Sequence, residues 1–263
     1  IRALLDLEGI ALQLDAGGNR DLANGAWLVA EGDPRADSDP RPNLLVRIDG
    51  AGVIQEVVDL PFPKTTVTVI DDDEVTDETR EVSANASRFG FEGVTTTGSG
   101  AGELVYVAFQ RSWATDPDNI ARIGVYDPNA DAWSFYGYLL DATANNPGLS
   151  EIVALDAQNF AVIERDGANG SVDAPDLFKV VKSFSIAGAV PVPNPEGVIA
   201  PLDPAARVTP VQRFDLVGTT PGDDLEKWEG LAVKGDTAYA VNDNDGSGET
   251  RMVTFDASIL GGS

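Results

Sequence analysis

The 263-residue chain contains no cysteine and no histidine. Without cysteine, it forms no disulfide bond and offers no thiolate as a nucleophile or a metal ligand. Without histidine, sites that combine a serine or cysteine nucleophile with a histidine base are excluded in their usual form. Zinc and most transition metals lose their commonest ligands as well. Any bound metal must therefore be held by oxygen atoms, a donor set that favours calcium or magnesium.

Long apolar runs are also missing, and none approaches the roughly 20 residues that span a bilayer. We therefore expect no membrane span. No convincing amphipathic helix is present, because short strand-like segments follow one another almost continuously. A hydrophobic content of 43% is typical of a globular protein. The chain begins at Ile1 without a visible signal peptide, so we expect that any targeting segment has been removed.

Basic residues are scarce, since 18 Lys and Arg are outnumbered by 43 Asp and Glu, which gives a formal net charge of −25. A negative field of this size repels phosphate backbones, so nucleic acid is not an expected partner. The charge suits a secreted, periplasmic or cell-surface protein in salty or calcium-containing surroundings. Acidity that only keeps the protein soluble is the alternative interpretation.

One unit occurs four times: an inner segment built around Glu-Gly or a variant of it, then a second apolar strand that ends in polar residues. Its copies are Leu7–Leu12 with Trp27–Glu31, Phe91–Val94 with Leu104–Arg111, Leu149–Leu155 with Phe160–Asp166, and Lys227–Val233 with Thr237–Gly246. Radial repeats of four short antiparallel strands are typical of a β-propeller. The sequence therefore predicts an all-β propeller with four visible repeats, and leaves open whether the ring is complete.

We predict one propeller domain or propeller fragment over the whole chain. Its repeats cover about 1–61, 89–141, 148–216 and 226–256, with insertions at 62–88 and 190–210. In the first insertion, Thr65–Ile70 predicts a strand, and the acidic residues from Asp71 to Glu78 predict a solvated loop. The fourth repeat lacks a fourth strand. The segment Ile1–Asp6 either closes the last blade or forms the outer strand of an upstream blade.

Taken in order, the motifs resemble the phytase-like family, which is also described by an esterase-like activity of phytase. They are Leu7–Leu12, Gly25–Glu31, Gly90–Val94, Ala161–Asp166, Trp228–Leu231 and Asn242–Asn244. The resemblance runs from about Leu7 to Asp256 and depends on the order of the motifs, because no single one is specific. It points to the C-terminal part of such a domain, with upstream blades of the same polypeptide as a partner. It implies a hydrolase that acts on a small phosphoester.

In a blade, the start of the first strand and the end of the second lie on the same face, which here collects many charged residues. The candidate metal ligands are Glu8, Glu31, Glu92, Glu151, Glu229 and Asp243, and the candidate catalytic residues are Arg111, Arg165 and Glu164. Converging carboxylates repel one another, and calcium would relieve that repulsion with six to eight oxygen ligands. An adjacent arginine suits a bidentate contact with phosphate. In the third repeat, Ser150 takes the Glu position and Glu151 takes the Gly position.

The same residues also allow a structural interpretation, in which each repeated Glu fastens its blade to the backbone of the next one. Asp243–Glu249 begins like a calcium loop, but Thr254 replaces the expected bidentate Glu, so a β-turn is favoured. Three functions therefore remain open. They are a secreted calcium-assisted phosphoric-ester hydrolase, a non-catalytic extracellular propeller for binding or structure, and a lactonase-like calcium propeller.

Overall fold

The structure is a computed structural model, and it describes residues 5–261 apart from 36, 38, 39, 72, 73, 85, 87, 169–176, 220–226 and 244–249. The regular structure in these residues is almost entirely antiparallel β-sheet, since the helical segments are 3₁₀ turns of three or four residues. No helix in the described part of the chain has the length and apolar character that crossing a membrane would need. The predicted segment Ile1–Asp6 lies mostly outside these residues.

Four antiparallel blades are arranged as a β-propeller, which confirms the predicted fold class. Blade 1 contains β1 (Asp6–Leu12), β2 (Ala26–Glu31), β3 (Leu44–Ile48) and β4 (Ile54–Asp59). A hairpin of β5 (Lys64–Asp71) and β6 (Glu74–Ser83) leads to blade 2, with β7 (Phe91–Thr97), β8 (Leu104–Phe109), β9 (Ile120–Asp127) and β10 (Ala132–Leu139). Blade 3 contains β11 (Gly148–Ala154), β12 (Asn159–Arg165), β13 (Lys179–Ser185) and β16 (Val211–Asp215). Blade 4 contains β17 (Lys227–Lys234), β18 (Thr237–Asp243) and β19 (Met252–Asp256).

The two insertions contain strands that the sequence did not predict. The strand predicted at Thr65–Ile70 is present as β5, but Asp77 and Glu78 lie in β6 rather than in a loop, so that prediction was wrong. Alternating Val and Thr residues pair the two strands despite the intervening charges. In the second insertion, β14 (Val192–Asn194) and β15 (Arg207–Val208) both pair with β10. The sheet of blade 2 is therefore extended at its outer edge.

Each inner strand carries a β-bulge at the same repeat position. The register shifts fall at Glu8 in β1, Glu92 in β7, Ser150 in β11 and Glu229 in β17. The prediction that Ser150 takes the Glu position of the third repeat is thereby confirmed. A bulge re-aims the side chain at that position. In blade 3 the re-aimed Ser150 hydroxyl donates a 2.6 Å hydrogen bond to the Trp228 carbonyl oxygen of blade 4.

The glycine after the bulge permits close contact between neighbouring blades. A Cβ atom at Gly9 would lie 2.8 Å from the Glu92 carbonyl oxygen of blade 2. A Cβ atom at Gly93 would lie 2.5 Å from the Ile152 amide nitrogen of blade 3. Because backbone atoms cannot yield at these distances, no larger residue fits, and the repeated Glu-Gly pair reflects blade packing.

The junction between blades 4 and 1 is different. Around Gly230, the three nearest described atoms all belong to Val241 of its own blade. Within the described residues, blade 1 therefore has no backbone as close to Gly230 as blade 2 has to Gly9 or blade 3 has to Gly93. A groove of about 570 Å³ separates the two blades. Its blade 1 wall includes Leu7 and Ile10, which are 53% and 57% exposed. We call this apolar groove the seam.

An aromatic core fixes the loop that follows β8. Trp113 is only 2% exposed, and its ring lies 5.0 Å from the ring of Phe62 and 5.7 Å from that of Phe109. Edge-on contacts of this kind favour one orientation of the ring. Trp113 therefore anchors the chain directly beyond Arg111 and Ser112 and holds both residues in a defined position.

Candidate functional site

Antiparallel pairing brings the start of each inner strand beside the end of the second strand. Asp6 lies opposite Glu31 in blade 1, and Lys227 lies opposite Asp243 in blade 4. The corresponding ends of the four blades surround a cavity of about 670 Å³, which we call the mouth. Its charged lining consists of Asp6, Glu8, Glu31, Asp33, Glu92, Glu229, Asp243, Arg35, Arg41, Arg88, Arg111, Arg165 and Lys227. All predicted site residues except Glu151 and Glu164 line it.

Three carboxylates form a compact cluster on the blade 1 side of the mouth. One oxygen atom from each of Asp6, Glu8 and Glu31 lies within 4.8 Å of the other two, and we call these residues the acidic triplet. Burial, together with the charges of Glu31 and Asp6, raises the pKa of Glu8 to about 7. Burial also raises the pKa of Glu31 to about 7, although a hydrogen bond from the Gly90 backbone N–H opposes this effect. Near neutral pH, the triplet therefore favours a bound proton or cation.

Glu92, on the inner strand of blade 2, is more deeply buried than the acidic triplet. It is only 4% exposed and accepts a hydrogen bond from the side-chain amide of Gln110. Burial, followed by the charges of Glu31 and Glu8, raises the pKa of Glu92 well above its usual range. Glu92 therefore extends the acidic side of the mouth inward and also stabilises the end of β8.

Glu229 and Arg165 form an ion pair across the junction of blades 3 and 4. The Arg165 side chain is 10% exposed and that of Glu229 is 19% exposed, so solvent screens the pair only weakly. Burial raises the pKa of Glu229, and the Arg165 and Lys227 charges oppose that shift. Arg165 is thus held in place by a carboxylate while its buried Nε has no hydrogen-bond partner in the described structure.

Arg111 supplies a positive charge on the blade 2 side. Its guanidinium carbon lies 3.8 Å from the centre of the Phe89 ring, and that of Arg88 lies 4.7 Å from the same centre. Within the described residues, neither Arg111 nor Arg88 forms an ion pair with a carboxylate. This is unexpected in a chain that has more than twice as many acidic as basic residues. Burial, followed by the charges of Arg165 and Arg88, lowers the pKa of Arg111. An anion bound here would relieve that repulsion.

Glu151 is a fastener rather than a mouth residue. One carboxylate oxygen accepts a 2.9 Å hydrogen bond from the Ile152 N–H, and the group also accepts N–H bonds from Val94 of blade 2 and Leu231 of blade 4. Desolvation raises the pKa of Glu151 well above its usual range, against the effect of these donors. The structure therefore does not bring this predicted metal ligand to the mouth, because the bulge at Ser150 turns Glu151 toward the neighbouring inner strands.

Glu164 also points away from the mouth and is fully buried. It accepts hydrogen bonds from the Tyr138 hydroxyl at 2.8 Å and the Asp141 N–H at 2.7 Å, and it lies 3.1 Å from the Lys182 ammonium. Successive residues of a strand face opposite sides. Because Arg165 faces the mouth, Glu164 faces the other way, toward blade 2. Its hydrogen bonds to Tyr138 and Asp141 connect blade 3 to blade 2. Its predicted place on the same face as the other candidates was therefore wrong.

Asp243 is exposed at the end of β18 and lines the mouth. The rest of the predicted calcium-like loop, residues 244–249, lies outside the described residues. Asp6, Arg88 and Lys227 line the mouth without having been predicted from the sequence. Of these, Asp6 was accessible to sequence reasoning, since extending the predicted segment Leu7–Leu12 by one residue places Asp6 opposite Glu31.

The family comparison supports the resemblance seen in the sequence. The Phytase-like family model, described as "Esterase-like activity of phytase", matches residues 2–246, which is nearly the whole chain. The matched range includes all four inner strands and every charged residue that we place at the mouth. No curated protein and no solved structure matches the chain.

Proposed function

The chain belongs to the phytase-like family, and from that premise we propose that it is a secreted, calcium-assisted phosphoester hydrolase. The observation that carries this proposal is the composition of the mouth. A triplet of carboxylates that can hold a metal faces the same cavity as Arg111, a cation without a carboxylate partner among the described residues. A metal ion and an arginine that face one cavity can together bind a phosphate group.

The acidic triplet fits calcium better than a transition metal. Its donors are all oxygen atoms, and burial raises the pKa values of Glu8 and Glu31 to about 7. Arg41, which pairs with Asp6 at 2.6 Å, and Lys227 oppose these shifts without cancelling them. Calcium accepts irregular oxygen coordination and leaves positions for water and substrate. We assign Asp6, Glu8 and Glu31 as its ligands, with Glu92 beside them. When bound, such a cation polarises the phosphoryl group and lowers the pKa of a water molecule.

The protein residues bind and orient the substrate. Arg111 donates hydrogen bonds to phosphate oxygens from a position fixed by its contact with Phe89. Arg165 approaches the same group from blade 3 and is prevented from swinging away by its ion pair with Glu229. The two guanidinium groups repel each other when no anion is bound. Because a phosphate monoester carries two negative charges, it relieves this repulsion more fully than a singly charged diester does.

Two further points of the proposal concern the context of the chain. A secreted location supplies calcium at the concentrations that weak extracellular sites use, about 10⁻⁴ to 10⁻³ M. We propose that further blades of the same polypeptide pack against the seam between blades 4 and 1, and that this chain is the C-terminal part of a larger family domain. The exposed Leu7 and Ile10 support that arrangement, because a further blade would cover them.

Hydrolysis of para-nitrophenyl phosphate, with calcium and then with chelator, tests the proposed function. We expect activity that depends on calcium and falls at least tenfold in Arg111→Met, with partial recovery in Arg111→Lys, which keeps the charge but loses the planar fork. Arg213→Met is the matched control, because Arg213 bonds Ser183 on the outer part of blade 3, away from the mouth. We expect it to remain within twofold of the unchanged protein.

Two results would contradict this function. The first is that the calcium-loaded chain cleaves neither this compound nor a broad panel of phosphomonoesters and phosphodiesters. The second is hydrolysis that is indifferent to Arg111. Activity on lactones instead would favour the calcium-propeller lactonase, and calcium binding without any hydrolysis would favour the binding module.

A further inference from the structure

A second cavity, of about 570 Å³, opens beside the mouth, and we call it the side cavity. It shares Phe89, Arg111 and Asn146 with the mouth, so the two spaces adjoin at Arg111. Its volume is within the range of small-molecule sites. We propose that the side cavity binds the alcohol part of the phosphoester, and that this alcohol is a neutral sugar or polyol bearing a single phosphate. This inference rests on the proposed function.

The charges of the side cavity point to a neutral alcohol. Arg111 is the only cation among the lining residues that the structure describes, and it lies at the border with the mouth. The rest of the lining contains the carboxylates of Asp118 and Asp141. A phosphate bound to Arg111 would direct its ester oxygen into this acidic space. A second phosphate on the same alcohol would then meet two like charges, whereas hydroxyl groups would find hydrogen-bond acceptors.

Asp141 is a fixed, ionised part of that wall. Its carboxylate accepts hydrogen bonds from the N–H and hydroxyl of Thr143 at 2.9 and 2.6 Å, and from the Lys182 ammonium at 2.9 Å. These bonds, led by that of Thr143, lower the pKa of Asp141 to about 2. Lys182 is also within 3.1 Å of the buried Glu164, so its charge is shared between two carboxylates. It is therefore not available to neutralise a second phosphate.

The side cavity also contains polar atoms that need a partner. The hydroxyl oxygen of Ser112 is buried and makes no hydrogen bond within the described structure, and the same holds for Nε of Arg111. A buried polar atom without a partner is costly, and a ligand that supplies the partner would remove that cost. A hydroxyl group of the substrate would satisfy Ser112 because it both donates and accepts. Trp113 holds Ser112 in place, so this contact is pre-organised.

A matched pair of substrates tests the assignment. Glucose 6-phosphate and glucose 1,6-bisphosphate differ only by the second phosphate, and we expect kcat/KM to favour the monophosphate at least tenfold. Asp118→Lys places a cation in the side cavity and should reduce that preference about tenfold. Asp236→Lys is the control, because Asp236 is exposed in the turn between β17 and β18, at the end of blade 4 opposite the mouth. It should leave the preference unchanged.

Binding of free glucose provides a measurement that does not depend on hydrolysis. Saturation-transfer NMR should detect glucose bound to the unchanged protein, with a weaker signal in Ser112→Ala and Asp118→Lys but not in Asp236→Lys. If phosphoesters are hydrolysed but glucose does not bind and Asp118→Lys leaves the preference unchanged, the side-cavity assignment is overturned and the proposed function stands. If glucose binds as expected but no phosphoester is cleaved, the cavity remains a sugar site and the hydrolase function fails. If glucose does not bind and no phosphoester is cleaved, the side-cavity assignment and the hydrolase function are both overturned.

Discussion

Blades 1 and 3 are built from the same repeat but use its polar positions differently. In blade 1, the bulge residue Glu8 and the second-strand residue Glu31 face the mouth, have raised pKa values and lie close enough to share a cation. In blade 3, the bulge residue is Ser150, which bonds the backbone of blade 4. Glu151, the next residue of blade 3, is surrounded by N–H donors. Carboxylates with donors around them fasten blades, whereas carboxylates facing one another create a site.

The comparison predicts opposite effects of removing a carboxylate from the two blades. A buried carboxylate that is paired and hydrogen-bonded stabilises the fold, and its loss leaves uncompensated partners. A carboxylate that faces like charges destabilises the metal-free fold, so its neutralisation is harmless or favourable until a cation is present. Stability measurements with and without calcium therefore separate structural from functional members of one repeat.

The largest expected effect is that of Glu164→Ala in blade 3. This change removes the acceptor of the Tyr138 hydroxyl and the Asp141 N–H, together with one charge beside Lys182. Breaking a buried pair of this kind costs about 3–5 kcal/mol. We expect the free energy of unfolding in denaturant to fall by an amount of that order.

Glu196→Ala is the matched control for this experiment, because Glu196 is exposed in the second insertion. A surface change of this kind usually alters stability by less than about 0.5 kcal/mol. If Glu164→Ala unfolds no more readily than Glu196→Ala, the blade 2–blade 3 network does not stabilise the propeller.

An intermediate effect is expected for calcium at the acidic triplet. Binding to the folded state alone would stabilise the protein by about 2.7 kcal/mol when calcium is present at a hundredfold excess over its dissociation constant. The melting temperature should rise with calcium, but not with sodium at matched ionic strength. In Glu8→Gln combined with Glu31→Gln, the response to calcium should disappear while the fold stays intact by circular dichroism. A full response in the double variant would place the ion elsewhere.

Much of the fold and of the blade 1 site could be predicted from the sequence, and the predictions that failed did so for physical reasons. The fourfold recurrence of the motif predicted the propeller, and the pairing of strand ends predicted that Glu8 and Glu31 meet at one face. The side of the strand on which each residue lies was harder to predict, because adjacent residues face opposite sides and a bulge reverses the alternation. Glu164 and Arg165 were therefore predicted to share a face, and Glu151 was assigned to the mouth.

Other features depend on contacts that no local pattern encodes. The side cavity exists because loops after β8 and β10 approach each other, and Arg111 is positioned by Phe89, which lies just before β7. The seam could not be predicted from the motif either, because Gly230 has the same sequence environment as Gly9 and Gly93. Only the packing shows that, in the described part of the chain, Gly230 has no backbone of another blade beside it.

The last expected effect is the dependence of stability on pH without calcium, and it tests the raised pKa values of Glu8 and Glu31 in blade 1. The folded-state pKa of Glu8 and Glu31 is about 7, whereas an unfolded Glu titrates near pH 4.3. Between these values the folded state binds more protons than the unfolded state, so the free energy of unfolding falls as pH rises. The stabilising contribution is complete below about pH 4.3 and is lost as pH rises through 7. In chelator, the melting temperature should therefore decrease from pH 5 to pH 8. Glu8→Gln combined with Glu31→Gln should flatten that decrease, and a slope unchanged by the double variant would show that these two carboxylates titrate normally.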